Sequence, residues 1–144
     1  MAKEIEAFTD GACLGNPGHG GWAFLFFIDG KKIILSGGEK NTTNNRMELT
    51  AIINCIQNVP TNYSININTD SKYVINGASS WLKKWRLNER TGSSNKKIKN
   101  IDLWKKLDLL LDSTDVKWNW IRGHSGNKFN EEVDRLARSQ AYKL

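Results

Sequence analysis

Apolar and polar residues alternate from Glu4 to Ala12, with Ile5, Ala7 and Thr9 set against Glu4, Glu6, Phe8 and Asp10, the two-residue period of a β-strand. Gly20 to Ile28 (GGWAFLFFI) is instead a continuous apolar and aromatic run, which reads as a buried central strand. Asp29-Gly30 then signals a hairpin into Lys31 to Ser36, with Gly37 and Gly38 expected to end that strand. The first three strands thus form an antiparallel meander. From Thr43 to Val59 the period changes. Met47, Ala51, Ile52, Cys55, Ile56 and Val59 recur at helical spacing, between the N-cap oxygens of Thr43, Asn44 and Asn45 and the closing Pro60.

Ser64 to Asp70 (SININTD) alternates again and stops at Asp70-Ser71, where Ser71 is placed to cap a short helix ending near Gly77. A second helix is expected around Ser80 to Arg86, followed by an exposed polar loop from Asn88 to Asn95. Asn100 is placed to cap a long helix whose Leu103, Trp104, Leu107, Leu110 and Leu111 form an apolar stripe. Asp115 to Ile121 reads as a fifth strand and Arg122 to Asn130 as a loop. Glu131 to Tyr142 reads as a final helix with Val133, Leu136, Ala137 and Ala141 inward.

Connection rules turn this order into a topology. Sequential strands tend to be neighbours, and helical crossovers join parallel strands with right-handed sense. The expected fold is α/β: a five-stranded mixed sheet, an antiparallel meander plus two parallel strands, flanked by helices. Strands one, four and five then end at the same edge, and the helices after strands three and five begin there. Asp10, Glu48, Asp70, Asp134 and His124 converge on that edge, beyond the C-terminal ends of strands where open α/β sheets place their sites.

Composition bounds this picture. At 144 residues and 39% apolar content the chain suits a single domain over residues 1–144. The first residues, MAKEIEAF, carry no apolar leader, and the longest apolar run, Trp22 to Ile28, is far short of the ~20 residues of a membrane span. A soluble, cytoplasmic monomer is expected, with no membrane partner. Cys13 and Cys55 lack metal-ligand spacing and read as free thiols. The net charge of +6 is concentrated between Trp81 and Lys106, which suggests a polyanionic partner.

Each acid has an ordinary reading beside the functional one. Glu48 suits a capping box with Asn45, Asp134 suits a helix N-terminus, and Asp70 suits helix initiation. Four carboxylates meeting without compensating arginines would raise one another's pKa values, a conflict that a divalent cation resolves. An all-oxygen set favours Mg²⁺ or Mn²⁺ over zinc, and four carboxylates suffice for two ions arranged for in-line phosphodiester displacement.

Five motifs in order, TDGACLGNPG with Asp10, TTNNRMEL with Glu48, NTDSKYV with Asp70, IRGHSG with His124 and NEEVDRLA with Asp134, resemble ribonuclease HI of the bacterial type across essentially the whole chain. The resemblance implies an endonuclease that hydrolyses the RNA strand of an RNA/DNA hybrid, leaving 5′-phosphate and 3′-hydroxyl ends. It implies that Asp10, Glu48, Asp70 and Asp134 hold two Mg²⁺ ions and that His124 assists proton transfer or product departure. Glu131 is auxiliary on this reading, or simply a first-turn helix residue. Cys13, Asn16, Asn44 and Asn45 match groove-contacting positions, and Thr43 matches part of a pocket for a DNA phosphate. Turn and cap chemistry explains several of these equally well, and the two roles are compatible.

Trp81 to Lys99 resembles the family's basic protrusion, with Lys83, Lys84, Trp85 and Arg86 expected to track phosphates; Trp81 itself reads either as protrusion or as core. The chain departs from the family where Arg90 and Gly92 replace protrusion aromatics. Asn41 also replaces an arginine near the pocket threonine, a charge that Lys40 or Lys84 is placed to supply. A non-catalytic hybrid-binding module on the same fold is the alternative, and it would need one of the four acids lost. A DNA nuclease or integrase relative is disfavoured by Asn44-Asn45 and the basic protrusion.

Overall fold

Three strands in succession build the meander: β1 (Lys3–Cys13), β2 (Gly18–Ile28) and β3 (Lys31–Thr42). The computed structural model describes residues 3–88, 99–123 and 126–144, and of Trp85 and Arg86 the backbone alone. Asp29 and Gly30 link β2 to β3 with φ of 49° and 77°, the pair of positive values that a two-residue hairpin turn matched to strand twist requires. Helix α1 (Asn44–Asn58) follows, then β4 (Tyr63–Thr69). A further run of α2 (Lys72–Asn76), a π-helical turn (Gly77–Trp81) and α3 (Leu82–Asn88) leads out of β4. Helix α4 (Ile101–Ser113), β5 (Val116–Trp120) and α5 (Lys128–Tyr142) complete the order.

The strands lie in the order β3-β2-β1-β4-β5, with β1 parallel to β4 and β4 parallel to β5, as the connection rules predict. Strand β1 is therefore central, and both its faces are covered. Ile5 and Ala7 join Leu49, Ile52, Ile56, Val74, Trp104 and Leu107 in the larger core under α1 and α4. Phe8, expected on the polar side, is buried with Ala23, Leu25, Val133 and Ala137 under α5. Alternation alone does not reveal a helix docked on the second face.

Several boundaries move, two because of packing and one because of a helix cap. Strand β3 runs through Gly37 and Gly38 to Thr42, because pairing with β2 continues as Trp22↔Gly37 and Gly21↔Gly38 and the Trp22 ring lies against Gly37. Gly77 keeps right-handed helical angles (φ −62°, ψ −46°), so the two helices expected around it form one continuous run. A Cβ at position 77 would strike the Trp104 ring, so this glycine serves close approach rather than termination. Helix α5 begins at Lys128, three residues early, because Asn127 Oδ1 accepts from the N–H groups of Phe129 and Asn130.

Asn100 precedes α4, but in a left-handed conformation (φ 61°) and without a side-chain cap; its side chain bonds Tyr73 Oη and Arg46 instead. Trp81 is half-buried with its ring 5.3 Å from that of Trp104, on the core side of its two readings. Cys13 and Cys55 are free thiols. No helix among the described residues is long and apolar enough to cross a membrane.

Candidate active site

Strand register carries two of the acids to the same level. Phe8 pairs with Asn68 between the parallel β1 and β4, so Asp10 and Asp70, each two residues further on, emerge side by side at the sheet's end. Asp10 still sits within β1, opposite Ala23 of β2. Helix α1 brings the third acid. Gly11 has no side chain to hold the helix off, and a Cβ there would strike the backbone at Met47 and Glu48. Glu48 is thereby pressed against the end of β1, and carboxylate oxygens of Asp10, Glu48 and Asp70 lie within 4.8 Å of one another.

The ordinary readings of these acids do not survive this geometry. The α1 cap is Thr43, whose Oγ1 accepts from the Arg46 N–H, so Asn45 is inside the helix and forms no capping box with Glu48. Ser71, not Asp70, caps α2 through the Val74 N–H. Asp134 lies a turn beyond the first residues of α5, where Glu131 is the first-turn acid. Asp134 lines the same cleft of about 320 Å³ as the other three but stands outside their tight group. Its Oδ1 accepts from Arg138 Nε at 3.2 Å, so the cluster does hold one arginine, contrary to the expectation of none. The i, i+4 spacing of Asp134 and Arg138 was the available signal for it.

Burial and mutual repulsion set the electrostatics. Asp10 is 4% exposed; its carboxyl is pushed up to about 8, first by burial, then by the Asp70 charge, and then by Asp134 through a side-chain hydrogen bond and its charge. Burial, then Asp10 and Asp70, holds Glu48 well above the usual carboxylate range, and Asp70 is raised by burial and by Asp134. Glu48 Oε1 is buried with no hydrogen-bond partner. A buried acid with one unpartnered oxygen, grouped with two more acids, is a poor resting state for a protein alone. It is a good donor set for a hard divalent cation, and all-oxygen ligation fits Mg²⁺ or Mn²⁺.

The remaining expected residues surround this cleft or lie apart from it. Cys13 and Asn44 line it, together with Leu14, Arg138 and Tyr142, which sequence patterns did not single out. Asn16 Oδ1 accepts from the Asn44 N–H at 3.2 Å, tying the turn after β1 to the start of α1, and Cys13 Sγ donates to the Thr42 carbonyl at 3.4 Å. Asn45 is exposed beside them, Thr43 is half-buried as the cap, and Lys83 and Lys84 are exposed on α3. His124 lies outside the described residues, as do Arg90, Gly92 and the side chains of Trp85 and Arg86. Arg46 joins the start of α1 to α4 through a bidentate pair with Asp102, whose carboxyl the guanidinium holds down at about 2.

Known proteins share this architecture. The RNase H family model matches residues 2–142. A ribonuclease H of Ehrlichia ruminantium (strain Gardel) is 47% identical over 142 residues, 98% of this chain and 97% of that protein. One from Wolbachia sp. subsp. Drosophila simulans (strain wRi) is 46% identical over 136 residues, 94% of each. Among solved structures, the chain is similar to LC9-RNase H1, a type 1 RNase H with the type 2 active-site motif. The TM-score is 0.85 and the identity 28%, over 99% of this chain and 74% of that one. LC11-RNase H1, solved in complex with RNA/DNA hybrid, shares the fold at a TM-score of 0.71 and 18% identity, over 96% and 97% of the two chains.

Proposed function

The chain belongs to the ribonuclease H family, and from that premise we propose that it is an endoribonuclease hydrolysing the RNA strand of RNA/DNA hybrids, with Asp10, Glu48, Asp70 and Asp134 holding Mg²⁺ and the whole chain acting as one domain. The observation that carries this reading is the meeting of three carboxylates within 4.8 Å, one of them with a buried, unpartnered oxygen. Asp10, Glu48, Asp70 and Asp134 would hold a pair of Mg²⁺ ions, which would supply Lewis acidity at the attacking water and the departing 3′-oxygen and so yield 5′-phosphate and 3′-hydroxyl ends. Mn²⁺ suits the same oxygen ligands.

The protein's part is to present these ligands ready-aimed in a place that bulk water reaches poorly. Asp10 and Glu48 are each 4% exposed, so the surrounding packing limits their rotation. Asp134, at the half-buried rim, is oriented by Arg138. His124 takes the role of moving a proton or easing product departure. Hybrid selection falls to the strip joined by the Asn16 to Asn44 hydrogen bond. On this reading Cys13, Asn16, Asn44 and Asn45 contact the 2′-hydroxyls that the wide minor groove of an A-like duplex exposes, and Thr43 contributes to a pocket for a DNA phosphate.

One labelled RNA, offered as an RNA/DNA hybrid, as duplex RNA and as a single strand, tests the reading when duplex DNA is run beside it. With Mg²⁺ only the hybrid's RNA strand should be cut, and chelator should stop the cutting. Tight hybrid binding with no cleavage in Mg²⁺ or Mn²⁺ would instead mark a binding module.

The exposed Lys83 and Lys84 give a second expected result. Replacing both with Ala should weaken hybrid binding and reduce the salt dependence of log K by about two, one unit for each phosphate no longer neutralised. The turnover number at saturating hybrid should change little, since neither lysine lines the acidic cleft. A salt slope equal to the parent's would remove these lysines from the interface.

A further inference from the structure

The peptide unit between Asp70 and Ser71 lies just past the last residue of β4. Its carbonyl oxygen accepts from the Trp120 indole Nε1–H at 3.1 Å. Its N–H, carried by Ser71, donates to Thr69 Oγ1 at 3.1 Å. Both polar ends of this one peptide are therefore held by side chains. We propose that Trp120 is a positioning residue for the metal site: together with Thr69 it clamps the Asp70–Ser71 peptide and so aims the Asp70 carboxylate at Asp10 and Glu48.

The surroundings of Trp120 agree with this role. Trp118, two residues earlier on the same strand face, packs on the main core, whereas Trp120 projects past it and stays 43% exposed. Burial does not explain a tryptophan there. The ring is instead bracketed by the segment it holds: Lys72, two residues after Asp70, places its ammonium 4.9 Å from the ring centroid. The lever between Trp120 and Asp70 is also short. Thr69 pairs with Trp120 across the strands, and the Ile121 N–H donates to the Thr69 carbonyl at 2.9 Å. The chain leaving β5 then passes over the carboxylate itself, since a Cβ on Gly123 would sit 2.9 Å from Asp70 Oδ2. The end of β5 thus holds the Asp70 carbonyl, and the residues that follow it pass close to the Asp70 carboxylate.

This inference rests on the reading of Asp70 as a metal ligand. Groups that orient ligands from behind alter metal affinity without touching substrate. Trp120→Phe keeps the ring and removes only the N–H. Calorimetric titration of the protein alone with Mn²⁺, paired with kcat and KM on hybrid and a metal-free thermal midpoint, is the test. Trp120→Phe should weaken Mn²⁺ binding and lower kcat by about tenfold each. KM for hybrid and the midpoint should stay near the parent's. Adding Thr69→Val should cost less in Trp120→Phe than in the parent, because both changes free the same peptide. Unchanged Mn²⁺ affinity and kcat in Trp120→Phe, in a parent that binds Mn²⁺ and cuts hybrid, would overturn the clamp alone. A loss that merely follows a lowered midpoint would do the same. A parent that neither binds Mn²⁺ nor cuts hybrid would bring down the metal-site reading and the clamp together.

Discussion

Asp10→Asn should abolish cleavage of the hybrid's RNA strand while leaving hybrid affinity within about tenfold of the parent, because backbone phosphates met elsewhere on the surface carry most of the binding. Asp10 lies within β1 at the centre of the acidic group, flanked by Glu48 from α1 and Asp70 from β4. Removing its charge withdraws a ligand shared by the whole cluster, a loss of several kcal/mol of transition-state stabilisation, or about a thousandfold in rate. Asp70→Asn should behave alike. Asp134→Asn should be milder, since Asp134 stands outside the tight group and is already paired with Arg138. Single-turnover cleavage beside an equilibrium binding assay separates the two effects. Near-parental turnover in Asp10→Asn would refute the assignment of the metal site.

The same cluster makes stability depend on pH and on divalent ions. Asp10 binds its proton with a pKa raised from 3.8 to about 8 in the folded, metal-free protein. Between those values the folded state holds more protons than the unfolded one, so stability is greatest at the acid side and falls as pH rises toward 8. Glu48 and Asp70 are raised in the same direction and steepen the fall. Ions that bind the deprotonated carboxylates should reverse it. At a hundred times its dissociation constant Mg²⁺ adds about 2.7 kcal/mol, worth roughly 5–10 °C in thermal midpoint for a domain of this size. The Mg²⁺ effect should be larger at pH 8 than at pH 5, and Asp10→Asn should flatten both the pH slope and the metal response. Thermal melts across this range with Mg²⁺ or chelator measure all three. A midpoint indifferent to pH and to Mg²⁺ would contradict the electrostatic account.

Much of this was legible in the chain because it is local or follows from connection rules. The alternation of Glu4 to Ala12, the Asp29-Gly30 turn, the helical spacing from Met47 to Val59 and the SININTD strand each declare their element. Their order is enough to set β1, β4 and β5 parallel and to bring four acids to one edge. What remained hidden depends on which surfaces meet. Phe8 looked polar-facing until α5 covered it, and Gly37 and Gly77 looked like breaks until the rings of Trp22 and Trp104 lay against them.

Strand period, capping oxygens and crossover handedness can be read from residue order, and they were enough to place the sheet, its flanking helices and the convergence of Asp10, Glu48, Asp70 and Asp134 on one edge. Packing in three dimensions set three of those acids in a tight group while Asp134 keeps an arginine, and brought the Trp120 indole to the carbonyl of Asp70. Those outcomes turn on ångström-scale approach between elements distant in sequence, which packing settles and residue spacing does not encode.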